Sequence, residues 1–271
     1  MSQNFLFSLS ALIALLPATV DGLSRRARAP GTLRFWLLLA VALGGAVAWT
    51  LARFSTGWHT GFAASLWLTI TATLASFGVL ALAMPEARRL AALLMPYLCA
   101  LAVVALLWEQ APERAMSAPL GLWAGLHIAA SILAYACATL AAVAAAGVIL
   151  RERALKAKLP TGDGAVSRLP AASEGERVQT RLLAMAAILL ATGLASGMAT
   201  QIVEFGAWLP LNHKTILAVI AFALVIGLLM LQMRMGLAGR RTARALLAAY
   251  LLLSLAYPGV KFVTDVLIGT A

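Results

Sequence analysis

Charge is what this sequence has least of. Only 11% of its 271 residues are Asp, Glu, Lys or Arg, against 62% hydrophobic residues. No soluble domain of that length keeps so little charge, so a soluble globular fold is excluded and a polytopic membrane protein is expected. Acids are scarcer than bases, 10 against 21. So few carboxylates argue against a proton-coupled transport path. Cysteine is limited to Cys99 and Cys137, both in apolar runs. They exclude a disulfide framework and a CxxC site and read as small core residues. GxSxG, HExxH, a Walker loop and carboxylate clusters are all missing, so the chain is not expected to be an enzyme.

What is present is apolar length. Eight runs, at about 5–20, 33–51, 62–84, 90–108, 121–150, 182–203, 215–233 and 245–268, are candidate spanning helices. A helix crosses a hydrocarbon core of roughly 30 Å in about 20 residues. The expected fold is therefore all-α and integral to a membrane, with about eight transmembrane helices. The first run lacks a basic leader and is expected to be a retained span rather than a cleaved signal. Pro85 ends the third run, Pro119 precedes the fifth, and Gly236 with Gly239 breaks the chain after the seventh. The expected organisation is one transmembrane domain: helices one to five in residues 1–150, a flexible cytoplasmic linker at 151–181, and helices six to eight in 182–271. Within the linker, RERALKAK extends the fifth helix, and the Pro-, Gly- and Ser-rich stretch follows.

Basic residues set the orientation. Only Arg53, Arg114, Lys214 and Lys261 fall in the loops after even-numbered spans or at the chain end. The other 17 (21 minus 4) flank the loops after spans one, three, five and seven. That is a strong positive-inside asymmetry, with both termini periplasmic in a bacterial inner membrane. Six acids share the basic side and four the other, so the net +11 (17 minus 6) sits on the cytoplasmic face. The basicity reports topology and contact with membrane lipid, and implies no nucleic acid.

Polar chemistry collects on a few faces. The run from Gly121 to Leu150 has no charged residue but carries His127, then Ser131, Tyr135 and Thr139 at spacings of four. Such spacing stacks side chains on one helix face, and a polar column at lipid depth must face protein or a water-filled cavity. An ionisable group there is a functional candidate, although a hydrogen-bonded core histidine is the plainer alternative. On this topology all three histidines, His59, His127 and His213, lie at the outer ends of their helices. His59 sits in STGWHTG and reads as an interfacial residue; His213 in LNHKT could equally be a water-exposed helix start. Thr192, Ser196, Thr200 and Glu204 form a second column, beside the small-residue pair Gly193 and Gly197, which lets another helix approach closely. Lys261 and Asp265 are spaced to pair on one face. Histidines on different helices beside Trp208 fit axial ligation of a haem iron, which takes neutral imidazole nitrogens on both faces of the ring.

The segment LHIAASILAYACATLAAVAAAGVILRERALK resembles the core of the cytochrome c assembly membrane proteins, the haem-handling family that includes the CcsA and CcmC types. ATGLASGM, NHKTILAVIAFALVIGLLM and GLAGRRTARALLAAYLLLSLAYPGVKFV resemble its small YpjD-type inner-membrane branch. The resemblance covers roughly residues 65–271. It implies haem ligands at His127 and, more loosely, at His213, flanking a periplasmic segment rich in tryptophan. In the family that segment carries a WGxxWxWD arrangement; here Trp208 stands alone in a shorter loop. The implied function is a membrane haem-binding protein holding non-covalent, b-type haem at the periplasmic face. His127 and His213 would be the iron ligands, Trp208 a stacking partner, Ser131 and Tyr135 neighbours on the ligand face, and Glu204 and Lys214 groups at the mouth. Other cytochrome c assembly proteins or membrane transport proteins are the implied partners. A haem-free accessory subunit that scaffolds such a partner is the main alternative. A transporter using the two polar columns as its path is a third.

Overall fold

The apolar runs become helices because a helix satisfies its backbone N–H and C=O groups within its own segment, as lipid requires. The computed structural model describes residues 3–24, 31–55, 57, 59–111, 113–115, 121–157, 165–206, 213–235 and 239–267. Its α-helices are α1 (Gln3–Leu23), α2 (Leu33–Phe54), α3 (Phe62–Ala83), α4 (Ala91–Leu107), α5 (Leu122–Lys156), α6 (Ala172–Phe205), α7 (His213–Met235) and α8 (Arg240–Ser254). A two-residue ladder, β1 (His59–Thr60) against β2 (Arg114–Ala115), ties the loop before α3 to the loop after α4. Seven of the helical segments are long and apolar enough to cross a membrane. The eighth helix continues past Ser254 as π-helical turns at Leu255–Gly259 and Phe262–Leu267. Pro258 lies in the first of these; it has no N–H to give, which opens the regular ladder there.

Packing divides the chain into two four-helix rings. In the first, α1 meets α2 and α4, α2 meets α3, and α3 meets α4. In the second, α5 meets α6 and α8, α6 meets α7, and α7 meets α8. The halves are therefore four and four. α5 packs with the helices that follow it. The rings meet through α3 and α5, and through Phe262, whose ring lies 5.4 Å from that of Phe62 and 5.5 Å from that of Trp108.

The linker is also shorter than 151–181. RERALK is the helical end of α5, as expected, but α6 begins at Ala172, ten residues before the apolar run starts. The reason is local. The carboxylate of Glu174 accepts the Ala171 backbone N–H at 3.0 Å, a capping contact that starts the helix in polar sequence. Arg151 reaches from α5 to the Val166 carbonyl at 2.7 Å and holds the short 3₁₀ turn Ala165–Arg168.

Candidate functional site

The site is built on the α5–α6 hairpin. Nine alanines and Gly147 are among the buried residues of α5, so its backbone can lie close to its neighbour. Register follows from the contacts. A Cβ at Gly175 would lie 2.8 Å from Val148 Cγ2, one at Gly193 would lie 3.3 Å from Ser131 Oγ, and one at Gly197 would lie 2.8 Å from His127 Nδ1. The paired numbers run in opposite directions, so the helices are antiparallel.

The small-residue face of α6 and the histidine face of α5 are thus one interface. His127 is half-buried, and its Nδ1 lies 2.7 Å from the Gly193 carbonyl. A carbonyl only accepts, so Nδ1 carries the hydrogen and donates it. In the neutral ring the lone pair then belongs to Nε2. Gly197 leaves the space that the imidazole fills: a methyl group there would sit 3.0 Å from Cε1 as well. The arrangement holds the ring against backbone and leaves the lone pair on the other nitrogen. Tethering Nδ1 to a carbonyl is how metal-bound histidines are generally oriented, so this residue fits the coordination of an iron.

The rest of the α5 column goes elsewhere. Tyr135 is buried, and its hydroxyl meets Ser254 Oγ at 2.9 Å. Thr139 donates to the Tyr135 carbonyl and lies 3.0 Å from the Tyr250 hydroxyl. Tyr250 is in turn 2.6 Å from the Tyr97 hydroxyl of α4. Three of the four tyrosines in the chain share this network. Periodicity on α5 points to Tyr135 and Thr139, but their partners come from α8, and Tyr97 of α4 joins through Tyr250. The only sequence signal for those partners is that Tyr97 and Tyr250 also lie in apolar runs.

On α6 the second column is satisfied within its own helix. Thr192, Ser196 and Thr200 donate to the carbonyls of Ile188, Thr192 and Ser196 at 3.0, 2.7 and 3.0 Å. Lys261 and Asp265 pair as their spacing predicts, with Nζ to Oδ2 at 3.8 Å.

Glu204 stands in the last turn of α6, and His213 and Lys214 in the first turn of α7; only their backbones are described. Trp208 lies outside the described residues. His59 is described only as backbone, paired with Ala115 in the β1–β2 ladder. Among the described residues no cluster of three or more His, Cys, Asp or Glu is placed to hold a metal ion.

A polar chain that periodicity does not reveal lies in the first ring. Trp49 Nε1 donates to Ser8 Oγ at 2.7 Å, and Ser8 donates to Glu109 Oε2 at 2.6 Å. Glu109 is only 7% exposed and follows the end of α4; burial pushes its carboxyl above the usual range. Arg53 and Glu113 form an ion pair beside it.

The family described as "Cytochrome C assembly protein" matches residues 28–268. A protein of Azospirillum brasilense described as "Uncharacterized 28.8 kDa protein in nifR3-like 5'region" is 46% identical over 275 residues, spanning 99% of this chain and 100% of that one. No solved structure matches the chain.

Proposed function

We propose, from the premise that this chain belongs to the cytochrome C assembly protein family, that it binds haem in the bacterial inner membrane, at the periplasmic end of the α5–α8 ring. The observation that carries this is the His127 imidazole, with Nδ1–H tied to Gly193 and Nε2 left with a lone pair. His127 and His213, which opens α7, would hold the haem iron. Ser131 would sit below the ligating ring. Trp208 would stack on the porphyrin, and Glu204 and Lys214 would frame the propionate side. Tyr135 would act through packing, since its hydroxyl is bound to Ser254. The chain's own groups hold and orient the cofactor and carry no catalytic step. Haem would supply an iron centre to be kept or passed to other cytochrome c assembly proteins. The back-bonded hydroxyls of α6 argue against a substrate path through that helix.

Absorption of the purified protein supplied with haem tests this. Wild type is expected to show a saturable Soret band of a six-coordinate, low-spin iron. His127→Ala should lose it or convert it to a five-coordinate form. His213→Ala should weaken it less, and His59→Ala should leave it unchanged. A wild type without the band, or His127→Ala binding haem as tightly as wild type, would sink the assignment. His127 would then be a core histidine of a haem-free scaffold for a membrane transport partner. Orientation is tested separately: a reporter after Ala271 should be active only in a periplasmic form, and one near Gly164 only in a cytoplasmic form.

A further inference from the structure

At the opposite end of the second ring a cavity of about 650 Å³ opens between the first turns of α6, the last turn of α7 and the start of α8. Its walls are unusual for a helix bundle. Gln179 is only 2% exposed, yet among the described residues its carbonyl oxygen has no hydrogen-bond partner, and neither has the buried carbonyl oxygen of Gln232 across the cavity. A buried acceptor left unpaired loses its hydration without replacement, so these two await a donor. Glu176 lines the same wall. Beside it Gly239, at φ +81°, makes room for a second carboxylate: a Cβ there would meet Glu152 Oε1 at 2.8 Å and Glu176 Oε1 at 3.7 Å. The same cavity is lined by the exposed residues Arg177 and Arg181, neither of which forms an ion pair among the described residues.

The cavity therefore has an acceptor-rich floor and a cationic rim. An anion alone would satisfy the rim and leave the floor unpaired. A cation alone would do the reverse. One chemistry satisfies both: a phosphate ester whose other end is a primary ammonium. Depth indicates the source. The 23 residues of α7 span about 34 Å, close to one hydrocarbon thickness. Its last turn, with Gln232 and Met233, then lies at the level of the headgroups. Met230 and Met233 on α7 and Met185, one turn inward from Arg181 on α6, are more than half exposed and offer apolar surface for acyl chains.

We propose that this cavity binds the headgroup of an ethanolamine phospholipid, with phosphate on Arg177 and Arg181 and ammonium on Gln179, Gln232 and Glu176. Basic pockets between transmembrane helices recruit phosphate headgroups on electrostatic grounds, and the acceptor floor adds selection for N–H donors. The proposal is independent of haem at the other end of the ring.

Lipid retention tests it. The purified protein is exchanged into vesicles of phosphatidylethanolamine, phosphatidylcholine or phosphatidylglycerol, and bound lipid and melting temperature are measured. Choline differs from ethanolamine by three methyl groups that remove every N–H donor. Ethanolamine lipid is expected to be retained at least tenfold over choline lipid. Gln179→Leu should reduce that ratio to near one. Arg177→Ala with Arg181→Ala, both at exposed positions, should lower retention of both lipids in a protein that still folds. Equal retention of choline and ethanolamine lipid in wild type, or tighter retention of phosphatidylglycerol, overturns the proposal. So does unchanged retention in both variants. Soluble phosphoethanolamine separates the sources: failure to displace the lipid at millimolar concentration supports a lipid site, and displacement with the same stabilisation assigns the cavity to a free phosphoamine instead.

Discussion

The two rings share a fold plan and differ in what fills them. Nine of the twelve largest fully buried side chains belong to α1–α4 and the turn before α4, among them Trp67, Phe77, Leu74 and Met95. There Trp49 stacks on Trp67 at 5.4 Å, and bulk separates the helices. In α5–α8 the largest contact is the α5–α6 hairpin, where alanine and glycine bring backbones together. In the ring packed by bulk the buried polar groups Trp49, Ser8 and Glu109 are spent on one another. A ring packed by small residues exposes backbone carbonyls to its neighbour, and one of them holds His127. Large-residue packing makes the support, and small-residue packing makes the proposed site.

The sharpest way to break that contrast is Gly197→Leu. A Cβ at this position already lies 2.8 Å from His127 Nδ1, so the side chain must expel the imidazole. Overpacking of this kind costs about 1–3 kcal/mol. The expected outcome is loss of the Soret band together with reduced folded yield. Gly227→Leu on α7 is the control, since nothing lies within 4 Å of a Cβ there; band and yield should match wild type. Equal behaviour of the two variants would show that the α5–α6 contact is not the determinant.

The second prediction concerns the first ring's one buried acid. In the folded protein Glu109 holds its proton more tightly than the ordinary value near 4.5, because burial disfavours the carboxylate. The folded state therefore binds more protons than the unfolded state between the two values. The group's stabilising contribution is full below the unfolded value and is lost as pH rises through the folded one. Melting temperature followed upward from about pH 4 should fall in wild type and fall less in Glu109→Gln. Identical slopes would show that this carboxyl does not titrate in the folded chain. Ser8→Ala, which removes the donor to Glu109 and the acceptor for Trp49, should cost about 1–3 kcal/mol in thermal unfolding.

The two rings were unequally legible in the sequence. Helix count and most boundaries follow from apolar length, because lipid permits little else. His127, Gly193 and Gly197 were visible as faces, since spacing by four fixes a face. That the two faces meet was not visible: periodicity says which way a side chain points along its own helix and nothing about the neighbour's register. The Tyr97–Tyr250 contact is hidden for the same reason, with 153 residues between its partners. The chain from Trp49 through Ser8 to Glu109 lacks even a periodic signal, as each member comes from a different element. The start of α6 is not legible from apolar length, because an apolar window ignores Glu174, whose capping contact lets a polar segment begin the helix. The division into four and four follows from which helix α5 packs against, and that is decided by its alanines meeting the glycines of α6.

The smallest effect is expected where the rings touch. Tyr97 belongs to the first ring and Tyr250 to the second, and their hydroxyls are 2.6 Å apart. Tyr97→Phe removes one hydroxyl and no ring volume. Tyr250 keeps Thr139 at 3.0 Å, so no buried polar group is stranded. Interhelical hydrogen bonds in membranes average about 0.6 kcal/mol and reach about 1.7, so the single variant should lose roughly that much thermal stability. Haem absorbance should not change, because the bond lies on α4 and α8 and the proposed ligands on α5 and α7. The coupling is read from a double-mutant cycle with Tyr250→Phe. If the hydroxyls act on each other, the double variant should be less destabilised than the sum of the two singles. Strict additivity would mean that the rings are joined by Phe262 and the α3–α5 contact without help from this bond. A selective change in the Soret band of Tyr97→Phe would mean that the first ring reaches the haem site after all, and the division of labour between support and site would have to be redrawn.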